Sequence, residues 1–399
     1  MVRQTRREFL KTLAVGAISL LGVSEQGLSL EKKELPKRKL GKMGVEASII
    51  GIGCFHLIER SEEEAVNLLN YVIDEGVNYV DVAPSYGDAE VKVGKVMKTR
   101  RKEVFLATKG HDRTKKGTLA LFEQSLKRLQ TDYVDLLQLH GVSSWQDFGT
   151  IFEPYGAIAA AEELKKKGLI RFIGISSHRP DILLKAIKLY DFDSILVWVN
   201  YLDRFNYPII NEEIIPYARK KGIAVIAMKA VGDGLLRNSA RMAIRYALTH
   251  CDVAVLGMNT ISQAKLDIEV ARNFRPLTKE EEEEWFRKAP ELGNFVCRQC
   301  GKCLPCPVGI DIPKVFLVEG AFDRQVMDGI DRGEEENKWR YTLAHWYGNE
   351  RWAKSLYEDL PVKPSACIDC GKCEERCPYH IPIRKRIRDI AKKIESYNP

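Results

Sequence analysis

Tyr79-Val80-Asp81-Val82-Ala83-Pro84-Ser85-Tyr86-Gly87 is the stretch on which the fold turns. A short run rich in aromatic and β-branched residues ends on an acid, and a turn-forming Pro-Ser-Tyr-Gly segment follows. An amphipathic stretch then starts near Asp88 and leads to a second apolar run, Val104-Phe105-Leu106-Ala107-Thr108, that ends in Lys109-Gly110. A strand-length run, a helical periodicity and a second run, each punctuated by a polar or turn residue, predict a strand–helix–strand unit.

The same unit repeats on both sides. Eight strand cores follow from Ser48 onward: Ile49–Gly53, Tyr79–Val82, Val104–Thr108, Val134–Leu139, Phe172–Ile175, Ile195–Val199, Ala224–Met228 and Ala254–Leu256. Helices are expected to begin near Ser61, Asp88, Thr114, Tyr155, Pro180, Ile209, Ser239 and Ser262. Eight such units are what a closed (β/α)8 TIM barrel needs. The rival, a doubly wound open sheet, is disfavoured because Gly51-Ile52-Gly53 runs into Cys54-Phe55-His56 without the glycine pattern that opens a dinucleotide-binding helix. Leu35 to Val45, with Gly41 and Gly44, predicts a hairpin closing the barrel's bottom.

The 399 residues, 45% of them hydrophobic, suffice for a large core and a further domain. The net charge of +7 is spread along the chain rather than gathered into a basic stripe, which argues against a nucleic-acid partner. Of the ten cysteines, only Cys54 and Cys251 precede position 296, both in apolar segments where a small buried hydrophobe is expected. The predicted division is residues 1–34 as signal and linker, 35–290 as barrel and 291–399 as a cysteine-rich domain.

In a barrel, chemistry gathers at the C-terminal ends of the strands. Asp81 and Tyr86 follow the second strand core, Lys109 ends the third and His140 ends the fourth, so one rim collects all four. Singly, each is more often a cap or a solvated side chain; jointly they mark this rim as a candidate site. In type, order and strand placement this set resembles the catalytic tetrad of the aldo-keto reductase superfamily, over roughly Lys37 to Arg272. Reducing a carbonyl requires a proton for its oxygen, and a free tyrosine, with pKa near 10, is a poor donor. Lys109 is expected to lower the pKa of Tyr86, Asp81 to hold Lys109, and His140 to orient the carbonyl or relay the proton.

The resemblance implies a nicotinamide dinucleotide, NADP or NAD, across the barrel mouth. Its implied contacts are Ser176 and Ser177 after the fifth strand, Met228, Lys229, Gly234 and Leu235 after the seventh, and Gly257, Asn259, Gln263 and Asp267 after the eighth, where a helix N-terminus favours phosphate. Three departures bear on it. Ser177 stands where the family often has Asn, Leu196 where a glutamine meets the carboxamide, and Asn259 where an arginine grips a 2′-phosphate, with Lys265 a weaker substitute. His56, Trp145, Arg204 and Phe205 are candidate pocket residues on rim loops.

Beyond a glutamate-rich helix starting at Thr278, two motifs carry the remaining cysteines: Cys297-x-x-Cys300-x-x-Cys303-x-x-Cys306-Pro307 and Cys367-x-x-Cys370-x-x-Cys373-x-x-x-Cys377-Pro378. The second has bacterial ferredoxin spacing and the first is one residue shorter. With Pro307-Val308-Gly309-Ile310-Asp311-Ile312-Pro313 and Ile381-Pro382-Ile383, the region is similar to the ferredoxin-like tail of certain barrel reductases. That implies a small, mostly α domain with two 4Fe-4S clusters, one on Cys297, Cys300, Cys303 and Cys377 and the other on Cys367, Cys370, Cys373 and Cys306. Zinc and a disulfide framework are the alternatives. The basic stretch Arg384 to Lys393 is a solvated face or a landing site for an acidic redox partner protein.

Thr5-Arg6-Arg7-Glu8-Phe9-Leu10-Lys11, followed by the uncharged stretch Thr12 to Val23, looks like a twin-arginine export signal. It implies passage through the twin-arginine translocase in folded form, to the periplasm or cell surface, with the segment either cleaved or kept as a membrane tether. Together these features predict an oxidoreductase moving hydride between a nicotinamide and a small carbonyl or alcohol, coupled to single-electron transfer through the clusters. The reading from another class is a non-catalytic barrel acting as scaffold or partner-binding module for a ferredoxin-type carrier.

Overall fold

A short antiparallel hairpin begins the described part of the chain, which in this computed structural model comprises residues 33–398. The twin-arginine stretch lies outside the described residues. Strand β1 (Lys37–Lys39) pairs with β2 (Glu46–Ser48). The turn between them needs glycine at Gly41, whose φ is +46° and where a Cβ would sit 2.2 Å from the Gly222 carbonyl oxygen. Leu40, Met43 and Ala47 thereby enter the core inside the barrel, with Tyr79, Phe105, Leu136 and Ile226. The predicted bottom hairpin is thus present as a plug.

Eight parallel strands close the barrel: β3 (Ile50–Gly53), β4 (Tyr79–Asp81), β5 (Phe105–Gly110), β6 (Val134–Leu139), β7 (Ile170–Ser176), β8 (Ser194–Trp198), β9 (Ala224–Met228) and β10 (Val253–Leu256). Each pairs with its sequence neighbour, and β10 returns to β3 with Ala254 opposite Ile50. Covered on both faces, the strands read as nearly unbroken apolar runs. Helices cover the outside and begin where local chemistry allows. Ser61 and Glu64 form a capping box for Glu62–Asp74, Thr114 accepts from Gly117 N to cap Lys115–Leu129, and Pro180 starts Pro180–Leu189. The sixth unit enters its helix, Ile215–Lys221, through a π-helical turn at Ile210–Ile214.

Helix Lys279–Lys288 follows the barrel, and Trp285 and Phe286 lie against Tyr201 and Phe205. The C-terminal part is helical, with Ile312–Asp323, Glu334–His345, Glu350–Glu358 and Ile383–Ser396 as its main elements. It has its own core around Phe316, Tyr357, Ile387 and Ile390, yet Leu35–Pro399 behaves as one compact unit. Among the described residues no helix is long and apolar enough to cross a membrane.

Candidate active site

Strand register places the tetrad. Asp81 ends β4, two positions beyond Tyr79, and Lys109 on β5 pairs with Gln138 on β6. Lys109, with its side chain fully buried, donates to Asp81 Oδ1 and, at 3.0 Å, to the Val82 carbonyl. Its ammonium lies 4.8 Å from the centroid of the Tyr86 ring. Tyr86 meets His140 edge to face at 5.7 Å and Phe55 at 5.2 Å. Ser85 Oγ stands 3.4 Å from His140 Nδ1, so with the hydroxyl donating there the ring carries its proton on Nε2. The structure therefore brings Asp81, Tyr86, Lys109 and His140 to one place.

The electrostatics differ in one respect from the expectation. Burial pushes the Tyr86 phenol up from its ordinary pKa; Lys109 pulls it down, but by less. Desolvation pulls the Lys109 pKa down, but it ends above its ordinary value, the Asp81 carboxylate being foremost among the groups that raise it. Burial, then the Lys109 charge, push His140 down to about 2, which makes it a neutral imidazole at ordinary pH. Tyr86 is thus a protonated phenol beside a fixed cation, and the cation's effect grows as the phenol gives up its proton.

One partner escaped the sequence reading. Gln138, fully buried, donates from Nε2 to Asp81 Oδ2 at 2.9 Å. In sequence it is one residue among strand-forming neighbours, and only its register opposite Lys109 marks it.

The residues expected to hold a dinucleotide are largely engaged with protein. Ser176 Oγ accepts from Gly141 N at 2.8 Å, and Ser177 Oγ donates to the Val142 carbonyl at 2.6 Å. Leu196 faces the apolar barrel interior. Lys229, with φ +59°, pairs with Asp233 at 2.9 Å, and the open side of Gly234 meets the Trp339 ring 3.3 Å from where a Cβ would stand. Met228 closes β9, and Leu235 is nearly buried just past Gly234. Gly257 faces the His56 ring, and Asn259 N donates to Gln263 Oε1 at 2.8 Å. Asp267 is buried, and desolvation raises it to about 7. Among the candidate pocket residues, Trp145 is half exposed, Arg204 faces Glu212 at 3.8 Å, and Phe205 is buried against Phe286, a core residue rather than a pocket wall.

Two cavities lie in the C-terminal part. Cys297, Cys300, Cys303 and Cys377 line one, and Cys306, Cys367, Cys370 and Cys373 line the other, so each takes its fourth cysteine from the opposite motif. No disulfide joins any of the ten cysteines in this structure. Arg376 ties the motifs together by donating to the Leu304 and Pro305 carbonyls, both at 2.9 Å.

Comparison with known proteins agrees with this geometry. Residues 49–241 match the model of the aldo/keto reductase family, and residues 296–381 match a 4Fe-4S dicluster domain. The oxidoreductase YqkF of Bacillus subtilis (strain 168) is 36% identical over 215 residues, covering 50% of this chain and 66% of that protein. The L-galactose dehydrogenase of Arabidopsis thaliana is 25% identical over 61% of this chain and 91% of its own length. An aldo-keto reductase of Bacillus halodurans, solved in its holo form, is 30% identical and superposes with a TM-score of 0.55, covering 63% of this chain and 95% of that one. Those relatives account for the barrel and the dicluster match for the cysteine cavities: this chain belongs to the aldo/keto reductase family and carries a 4Fe-4S dicluster domain after its barrel.

Proposed function

We propose that this protein is an oxidoreductase that interconverts a small carbonyl compound and its alcohol at Tyr86, in a chain that also carries single electrons. The observation that carries the reading is the buried contact of Lys109 with Asp81 beneath the Tyr86 ring. A carbonyl oxygen at Tyr86 would receive the phenolic proton while its carbon takes the hydride that a nicotinamide supplies when bound, and Lys109 would stabilise the phenolate left behind. Neutral His140 orients the same oxygen by donating a hydrogen bond from its ring N–H. In the reverse direction the phenolate accepts the alcohol's proton.

The eight cysteines around two cavities suit two 4Fe-4S clusters, one per cavity, and such clusters supply one-electron transfer when bound. A redox partner protein would exchange those electrons. A nicotinamide, NADP or NAD, is the hydride donor that family membership suggests, but here Leu196, the engaged serines and the Lys229–Asp233 pair present no ready site for it. The Arg6-Arg7 stretch supports a further proposal, export of the folded protein by the twin-arginine route.

The test is a screen of small carbonyls and alcohols with protein purified without air, comparing wild type with Tyr86→Phe. The variant should turn over about 100-fold more slowly or worse, the typical loss of a general acid. Equal rates would remove Tyr86 from the reaction and the proposal with it.

A further inference from the structure

The loop after β9, where a barrel of this family meets the phosphates of a dinucleotide, is covered by the chain's own C-terminal part. Arg324 ends helix Ile312–Asp323 with φ +57° and has a completely buried side chain. It grips Asp203 through Nε at 3.1 Å and Nη2 at 2.7 Å, and reaches Asp233 through Nη1 at 3.1 Å. Tyr347 donates its phenol to the same Asp233 oxygen at 2.5 Å. Its ring lies 4.5 Å from that of Trp198 and 4.6 Å from that of His178, with Lys229 Nζ 5.0 Å from its centroid. Further along the loop, Trp339 covers Gly234 and takes the Arg237 guanidinium over its face at 5.0 Å.

These contacts exclude an anion twice over. The loop's lysine is held by Asp233, and an incoming phosphate would meet the Asp203 and Asp233 carboxylates once Arg324 left them. They also exclude it sterically, because the ring of Tyr347 fills the space over Trp198 and the ring of Trp339 the space over Gly234. The covering segment is anchored beside a cysteine cavity. Ile312, Pro313 and Phe316 of the helix that ends at Arg324 line the first cavity. The next residue, Gln325, accepts from Cys297 N at 2.9 Å and donates to Asn206 Oδ1 at 2.9 Å.

We propose that residues 324–347 form a built-in strap over the dinucleotide side of the barrel mouth, so that NADP or NAD enters only when the strap is withdrawn. This rests on the barrel being a reductase barrel of this family, and not on which group delivers the proton. The cluster domain is then a gate on the hydride donor as well as an electron carrier, because the strap is fastened beside the first cysteine cavity.

The experiment measures equilibrium binding of NADPH and NADH, without air, to the cluster-loaded full chain as wild type, Tyr347→Ala and Trp339→Ala. Hydrogen exchange over residues 324–349 is followed as nucleotide is added. Trp339 lies on a surface helix, so its variant serves even if Tyr347→Ala folds poorly. A site open in only a fraction of molecules binds more weakly by that fraction, so both variants should bind at least about tenfold more tightly than wild type. Exchange in the strap should rise as wild type is saturated. Wild-type binding as tight as the variants', wild-type binding with unchanged strap exchange, or no binding by any of the three overturns the strap. None of these outcomes depends on turnover, so they are separate from the Tyr86→Phe test.

Discussion

Gln138 Nε2 donates to Asp81 Oδ2 at 2.9 Å and so occupies the one carboxylate oxygen that Lys109 leaves free. Asp81 is nearly buried, so an unsatisfied oxygen there costs the desolvation of a charged acceptor. Replacing Gln138 with Leu should lower the unfolding free energy by about 1–3 kcal/mol. The lower end is expected, because Gln138 Oε1 is itself buried without a partner and its own deficit disappears in the variant. Denaturant unfolding without air measures this, and a variant as stable as wild type would show that the amide contributes nothing to Asp81.

Acid should weaken the fold through two histidines. Burial is the first cause in both cases, holding His140 down to about 2 and His178 down to about 3, whereas an unfolded histidine titrates near 6.5. Between those limits the unfolded chain binds protons that the folded chain refuses. Their stabilising contribution is therefore complete above pH of about 6.5 and is lost as pH falls, at up to about 1.4 kcal/mol per pH unit for each ring. Chemical unfolding from pH 7 to 5 should show this slope, and His140→Asn combined with His178→Asn should flatten it. An unchanged slope in the double variant would place the acid sensitivity elsewhere.

Arg324 predicts a large stability effect. It neutralises Asp203, whose side chain is 1% exposed, and Asp233 at the same time. Arg324→Met leaves the buried Asp203 carboxylate without its ion-pair partner, while Asp233 keeps Lys229 and Tyr347, and should cost about 3–5 kcal/mol. Arg324→Lys should recover only part of that, since an ammonium lacks the fork that spans both acids. Full recovery in Arg324→Lys unfolding would contradict the two-acid geometry.

What could be read from sequence was local. The strand boundaries at Val134–Leu139 and Ala224–Met228 and the helix start at Pro180 follow from periodicity and caps, which a short window contains. The rim rule then placed Asp81, Lys109 and His140 because each closes a strand or stands just past one. Arg324 reaches Asp203 across 121 positions, and nothing near either residue announces the other. The direction of the Tyr86 shift was hidden for a related reason. The lysine's pull is implied by the motif, but the burial that outweighs it comes from neighbours such as Phe55, supplied by a different loop.

The crossed cysteine sets give the sharpest discrimination. Cys377 belongs by sequence to the second motif but lines the cavity of Cys297, Cys300 and Cys303, while Cys306 lines the cavity of Cys367, Cys370 and Cys373. The crossing arises because each chain segment turns away after three closely spaced thiols, and the Cys-Pro residue then stands beside the neighbouring trio. Arg376, one residue before Cys377, fixes that approach through the Leu304 and Pro305 carbonyls. Clusters held in the two cavities would have different surroundings and different EPR signatures, so single serine variants can be sorted by which signal they disturb. Cys377→Ser should disturb the same signal as Cys300→Ser, and Cys306→Ser the same signal as Cys370→Ser. If Cys377→Ser instead groups with Cys370→Ser, each motif holds its own cluster and the crossed arrangement is wrong.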